Sequence, residues 1–435
     1  MQQARARALT IALLVTLAVI SVWNAANYPP GDGYDAIHHV AYAEGIRQGE
    51  GVPDGIGEYY TPPGFYTLAA GAIELGDRLG LGDPRRLVQL MNAFLACSTA
   101  LLLLALGREI WPGRHALHVA ALGFFVCGPL VLKTAAMFHP ETLDLFLSTL
   151  ALLLAARMIV RDDYRLALGL ALGAVLGAGQ LVRAFSLWTF AVVVLALAVA
   201  ALVDTVRRRK ILAATLVMLA ATAVVAGPWY LHQSNTYANP IFDQPQVPKS
   251  LWERRPVEFY VDPGLPELIT RPYRPSFQNR FWPTLYAEGW GDYFGVYAWQ
   301  ATEGGPEPGA KRELTAESLA GLLPTALAVG GWLWLLVSSV RRLRSKPELL
   351  MITLLPLAGI VGMLYFTVSY PTPDGDVIKA TYLLTTVPAW ALAFGYATER
   401  AIQTRARVLV VAMLIAAAVV TLRFALYGSP LGGLL

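Results

Sequence analysis

A helix needs about 20 apolar residues to cross the hydrocarbon core of a bilayer. This sequence holds eleven such stretches, at about 8–27, 87–107, 114–136, 142–160, 164–181, 186–204, 211–231, 317–340, 348–369, 378–397 and 405–427. No other feature constrains the fold as strongly. In lipid every backbone N–H and C=O must be satisfied inside the protein, so a chain with these stretches folds as a helical bundle. Composition agrees. The 435 residues are 56% hydrophobic and 15% charged, against roughly 25% charged in soluble domains. That excludes an ordinary soluble enzyme, a disordered chain and a disulfide-stapled secreted scaffold. Cys97 and Cys127 both lie in apolar runs and read as small buried hydrophobes. The expectation is an all-α polytopic membrane protein forming a single unit over 1–435, with about eleven transmembrane helices. The first stretch follows Arg5 and Arg7 and has no clean small-residue cleavage site behind it, so it is read as a retained helix.

The net charge of +4 comes from 34 Lys+Arg against 30 Asp+Glu. In a membrane chain the placement of those bases reports topology, because Lys and Arg gather on cytoplasmic loops. With a cytoplasmic N-terminus and strict alternation, 18 of them fall on inner segments, including Arg207, Arg208, Arg209, Lys210 and Arg341, Arg342, Arg344, Lys346. Two long segments, 28–86 and 232–316, then lie outside. The expected location is the cell membrane, multi-pass, with the chemistry on the outer face.

The first outer loop carries nine acids and two bases between residues 28 and 83. Most of these read as a solvated surface. Apolar spacing predicts two amphipathic helices lying on the membrane, one over 35–48 and one over 63–82. Asp35 stands where a span ends and a helix begins, with His38 and His39 at i+3 and i+4 on its face. It reads either as a helix N-cap or as a general base that takes a proton from an acceptor hydroxyl. Asp32, inside Gly31-Asp32-Gly33, reads as a turn residue.

Other outer connections hold ionisable groups at span mouths. Glu141 and Asp144 open one stretch just after His139. They suit the positive end of the helix dipole, and equally a functional site. Arg183 is the lone base of its outer turn, either snorkelling or holding a phosphate bidentately. Lys379 and Tyr382 open another stretch and share a face at i, i+3. The long loop 232–316 has 15 aromatic residues and 11 of the 28 prolines. It reads as a proline-braced cap or as a sugar-contacting surface, with Arg271 and Arg274 its best substrate candidates.

The helix end followed by Tyr-Asp-Ala-Ile-His-His (34–39), the Glu-Tyr-Tyr-Thr-Pro-Pro-Gly-Phe-Tyr run (58–66) and the Lys-x-x-Tyr-Leu-Leu-x-x-x-Pro pattern (379–388) together resemble the GT-C superfamily of integral-membrane glycosyltransferases. The similarity is to the bacterial branch of protein O-mannosyltransferases and aminoarabinose transferases. It implies a GT-C fold and a hexosyl- or pentosyltransferase that moves a sugar, with inversion, from a polyprenyl-phosphate donor to a hydroxyl of a glycan, lipid or protein. By resemblance Asp35 takes the catalytic-base position and Glu141 that of an acid at the mouth of a later span. The branch has an Asp-Glu pair in the first loop. Here that pair is Asp35-Ala36, so Asp35 with Glu141 would replace it. Lys379, Arg183 and Tyr382 become candidates for the donor phosphate. His38, His39, His139 and Tyr60, with Arg271 and Arg274, become candidates for substrate contact. His139, Glu141 and Asp35 together offer N and O ligands for a divalent metal, which some GT-C enzymes use and others do not. The competing readings are a transporter or flippase of lipid-linked sugars and a glycan polymerase or ligase of another membrane family. The spans carry no mid-membrane acids and no internal repeat, features that transporters often show.

Overall fold

The computed structural model describes residues 2–55, 57–241, 250, 253–299, 305–372 and 375–428. Of the long loop 232–316, residues 242–249, 251–252 and 300–304 lie outside the described residues, as does Asp374. Among the described residues the chain is helical, with no strand.

Every one of the eleven apolar stretches is helical. Eight are long and apolar enough to cross a membrane as single helices. These are α1 (Gln2–Asn27), α4 (Arg86–Ile110), α7 (Glu141–Val160), α9 (Leu187–Val203, preceded by a 3-10 turn at Ala184–Ser186), α10 (Arg208–Tyr237), α14 (Pro308–Arg341), α15 (Leu349–Ser369) and α17 (Arg407–Ala425). The other three depart from the expected plain spans, each for a local reason. Stretch 114–136 is α5 (His115–Val126) and α6 (Pro129–Ala136), bent by 49°. Gly128 is extended there and Pro129 has no N–H to continue the ladder. Stretch 164–181 is α8 (Leu166–Gln180), only 15 residues long. Stretch 378–397 opens as a 3-10 helix (Ala380–Thr386) and continues as α16 (Val387–Ala401).

The first long loop folds as expected into two short helices, α2 (Ala36–Gln48) and α3 (Gly64–Arg78). Tyr42, Phe65, Tyr66 and Ile73 from these helices pack with Val88 of α4 and with Phe138 and Leu143. The second loop contributes α11 (Val257–Val261), α12 (Glu267–Thr270) and α13 (Phe281–Trp290). Its aromatics Phe277, Tyr293, Phe294 and Tyr297 form a core with Tyr28 and Tyr34. Asp292 is fully buried and accepts the backbone N–H groups of Val296, Tyr297 and Ala298 at 3.1, 3.0 and 2.8 Å, which closes the loop on itself. The two loops therefore meet on one face of the bundle.

Non-helical backbone at that face is stapled by polar side chains of α4. Gln89 donates to the carbonyls of Tyr28 (2.9 Å) and Ala136 (2.7 Å). Asn92 donates to those of Met137 (3.0 Å) and His139 (2.9 Å). These carbonyls sit at the ends of α1 and α6, where the helix ladder leaves acceptors without partners. Satisfying them lets the chain leave the helix at an extended Met137 and bend through Phe138 and His139 before α7 begins.

Helices α8 and α10 pack closely along a stripe of glycines. Gly169, Gly173 and Gly177 recur every fourth residue and turn toward α10, a small-residue interface of the kind that lets membrane helices touch backbone to backbone. A Cβ on Gly169 would lie 2.5 Å from the Ala214 carbonyl oxygen, and one on Gly177 would lie 2.7 Å from Val225 Cβ. Thr222 closes the contact with a 3.1 Å bond to the Gly173 carbonyl. Gly173→Leu is therefore expected to lower the melting temperature of the purified protein well below that of Gly330→Leu, whose Cβ meets nothing within 4 Å. Overpacking of this sort costs about 1–3 kcal/mol. Equal melting of the two variants would show that α8 does not depend on this contact.

Candidate active site

The ionisable side chains that the sequence scatters over the loops and span mouths converge on the face where the two loops meet. Asp35 occupies the N-cap position of α2 but makes no side-chain cap. Its backbone is left-handed, with φ of 52°, a region Asp tolerates better than most residues and one often found at functional sites. The carboxylate instead reaches Lys379, with Oδ2 2.5 Å from Nζ. Oδ1 has no hydrogen-bond partner among the described residues, and the side chain is 39% exposed. Partial burial by itself would raise this carboxyl. The neighbouring ammonium outweighs it and holds Asp35 at about 2, below its ordinary 3.8.

Lys379 is the extended residue just before the 3-10 helix, and its Nζ lies over two rings, 5.5 Å from Tyr34 and 5.9 Å from Tyr382. Three residues per turn place Tyr382 directly above Lys379. Arg183 also lies over the Tyr382 ring, at 5.9 Å. Its Nε donates to Glu141 at 2.7 Å, and its Nη1 donates to Thr61 at 2.9 Å and reaches Glu58 at 3.4 Å. Glu141 is buried and also meets His139 Nδ1. His139 packs edge-on against His39, with ring centroids 4.7 Å apart. His39 is fully buried beside the Tyr66 hydroxyl, 2.7 Å from Nδ1. Burial disfavours its charged form and takes it down to about 3, so this ring is neutral at pH 7.

Behind this row lies a support the sequence did not announce. The Tyr34 hydroxyl donates to Glu288 of the second loop, and Lys133 of α6 meets the same carboxylate. Lys133 also donates to the carbonyls of Glu288 (2.7 Å) and Gly291 (2.9 Å). All three side chains are buried. The residue next to Asp35 is thus anchored to both loops at once.

Several expected assignments look different in three dimensions. The base candidate Asp35 and the phosphate candidate Lys379 are bonded to each other, as are Glu141 and Arg183. His38 is exposed beside Gly57. The Tyr60 ring meets Tyr59 edge-on and Tyr237 at a tilt. Arg271 pairs with Glu267 on its own short helix, and Arg274 lies over the Phe294 ring at 4.5 Å. These four side chains belong to the surroundings of the loops; the His38 backbone N–H bonds the Asp35 carbonyl at 2.9 Å. Asp144 is buried against Ser186, and Asp32 sits in a turn closed by its N–H on the Pro29 carbonyl. Glu58, Thr61, Tyr66, Tyr34, Lys133 and Glu288 were not singled out from sequence. The Glu58 to Tyr66 run did carry a signal as a motif, whereas Lys133 and Glu288 are 155 residues apart and carried none.

A metal bound by Asp35, His139 and Glu141 does not fit this arrangement. Among the described residues no three His, Cys, Asp or Glu side chains are gathered as a metal-ligand group. His139 and Glu141 meet, but Asp35 is turned to an ammonium and Glu141 to a guanidinium.

No protein-family model matches the chain, and no curated protein matches it in sequence. Solved structures do match. The oligosaccharyltransferase of Archaeoglobus fulgidus in its apo form superposes with a TM-score of 0.58 at 14% identity, over 97% of this chain and 56% of that one. The same enzyme, AglB, in complex with an inhibitory peptide and a dolichol-phosphate gives 0.57 at 14% identity, over 96% and 56%. A further structure of it holds Zn and sulfate. ArnT from Cupriavidus metallidurans in the apo state gives 0.53 at 14% identity, over 96% of this chain and 75% of that one. The chain spans little more than half the length of the archaeal enzyme. The likeness is one of fold: the helices of this chain follow a path similar to that in the archaeal oligosaccharyltransferase and in ArnT.

Proposed function

We propose that this protein is a membrane glycosyltransferase that moves a sugar from a polyprenyl-phosphate-linked donor to a hydroxyl acceptor, with inversion and with Asp35 as general base. The observation that carries the reading is the Asp35–Lys379 pair, the accessible member of an otherwise buried polar cluster on the face that both loops cover. A lipid-phosphate donor needs a cation at its phosphate and a base near its anomeric carbon. Here the two are adjacent, which suits single displacement. Donor phosphate competes with Asp35 for Lys379. As the ammonium turns to phosphate, Asp35 loses the charge that holds it at about 2 and becomes a stronger base. The acceptor proton passes to Asp35, the hydroxyl oxygen bonds the anomeric carbon, and the lipid phosphate leaves with the bonding pair onto Lys379, which stabilises its charge.

In this reading Glu141 is a positioning residue. It is buried against Arg183 and His139 and fixes both. Arg183 supports Tyr382 and the Glu58 loop, and adds positive potential behind Lys379. No step is routed through a metal.

We read the loop face as the outer side of the membrane, because 18 basic residues fall on the opposite connections. A single cysteine introduced at the half-exposed Ser276 should react with an impermeant maleimide added outside intact cells. Reaction only after the membrane is opened from the other side would reverse this orientation.

The mechanism is tested with purified protein, a polyprenyl-phosphate sugar and native acceptor extract. Asp35→Asn keeps the shape but cannot accept a proton. Turnover is expected to fall about 100-fold or more with donor binding retained. Lys379→Ala is expected to lose donor binding. An Asp35→Asn enzyme with wild-type turnover would remove the residue from the mechanism.

The pairing also sets a pH signature. In the free enzyme Asp35 stays ionised down to about 2, so kcat/KM should show no Asp35 limb above about pH 4. With donor phosphate on Lys379 the same carboxyl titrates higher, so the acid limb of kcat should lie at higher pH than that of kcat/KM. Superimposed limbs would show that donor does not split the pair.

A further inference from the structure

Away from the polar cluster, α1 and α17 form a wedge. At the loop face they are clasped. Asn24 donates to the Ala425 carbonyl at 2.7 Å, Trp23 donates to the Tyr427 carbonyl at 2.9 Å, and the Tyr28 and Tyr427 rings meet edge to face at 4.9 Å. Toward the opposite face the helices part, and a cavity of 790 Å³ opens between them. That volume falls within the roughly 300–1,000 Å³ range of ligand sites. Its floor is made low by Ala116, Ala120 and Gly123 of α5, and its walls are apolar, with Leu9 and Leu13 facing Leu414 and Ile415.

The open end is basic. Arg5 and Arg114 line it, and a second cavity of 360 Å³ on the other flank of α1 adds Arg7 and Arg108. The acid that lines the larger cavity, Glu399, is already paired with Arg114. Arg5, Arg7 and Arg108 have no ion-pair partner among the described residues. None of Asp35, Lys379, Glu141 or Arg183 lines either cavity, so the wedge is separate from the site above.

We propose that this wedge is a binding site for a diacyl phospholipid with an anionic headgroup. Its tails lie along the apolar walls and its phosphate rests among the arginines at the mouth. The apolar walls supply dispersion contacts that any acyl chain satisfies. The excess of guanidinium charge supplies the preference for an anionic head, since basic residues at a membrane surface attract such lipids. Seated there, the lipid fills the gap between helices that are clasped at one end only, and it stabilises the bundle.

The full-length protein, delipidated in neutral detergent, is titrated with dioleoyl-phosphatidylglycerol or dioleoyl-phosphatidylcholine and read by native mass spectrometry and thermal melting. Wild type is expected to retain the anionic lipid about tenfold more tightly and to melt higher with it. Gly123→Leu places a side chain in the cavity, where its Cβ meets only Leu13 Cδ1 at 4.0 Å, and should abolish the retained lipid. Arg5→Gln with Arg7→Gln should remove the preference for phosphatidylglycerol while the protein stays folded, a result that stands even where Gly123→Leu does not fold. Equal retention of the two lipids by wild type overturns the proposal. So does undiminished phosphatidylglycerol binding by folded Gly123→Leu, or a cavity closed by a second copy of the chain and shown as a lipid-free dimer.

Discussion

A charge removed from water must find its opposite, and the folded face of this protein is arranged around that requirement. Asp35 has Lys379, Glu141 has Arg183, and Glu288 has Lys133. Removing one partner of a buried pair leaves an uncompensated charge and is far more damaging than replacing both. The three pairs join elements that are remote in sequence. Asp35 and Lys379 are 344 positions apart, Glu141 and Arg183 are 42 apart, and Lys133 and Glu288 are 155 apart. The pairs therefore fix how the first loop, the second loop and the span mouths sit against one another.

The pairs differ in how far they are sealed, and the difference sorts their roles. Lys133 and Glu288 are wholly buried, with the ammonium also bonded to two carbonyls. Such a group holds geometry and has no route to a substrate. Asp35 keeps one oxygen unbonded and more than a third of its side chain exposed. Tyr34 links the two, since its hydroxyl is held by Glu288 while its chain neighbour is Asp35. An exposed, strained carboxylate resting on a rigid buried anchor is the arrangement a reacting group needs, because positioning errors near 1 Å are costly to catalysis.

Irregular backbone carries much of this arrangement, and the bilayer limits where it can occur. The bend through Met137–His139 and the 3-10 turn at Ala380–Thr386 lie against protein, where Gln89 and Asn92 or tight helical turns satisfy the freed carbonyls. Lipid offers no such partners. The bends that aim His139 and Lys379 at the cluster thus lie on the loop face, against protein.

Much of the fold was legible from residue types alone. Hydropathy placed helix in each of the eleven stretches, of which eight, or nine with the bent pair, are long and apolar enough to cross a membrane, and amphipathic spacing placed α2 and α3 to within a few residues. Local motifs picked out Asp35, Glu141, Arg183, Lys379 and Tyr382, which the structure does bring to one face. The sequence determined these because hydrophobicity and helix periodicity act over short distances, where neighbours in the chain are neighbours in space. It did not determine that the stretches at 114–136 and 378–397 break, or that α8 is short and held by glycines against α10. Nor did it determine that the base and phosphate candidates would be partners, or that Lys133 and Glu288 stand behind them. Those were decided by tertiary structure. Pairing between groups 40 to 340 residues apart depends on which helix faces meet, and that follows from packing the whole bundle at once.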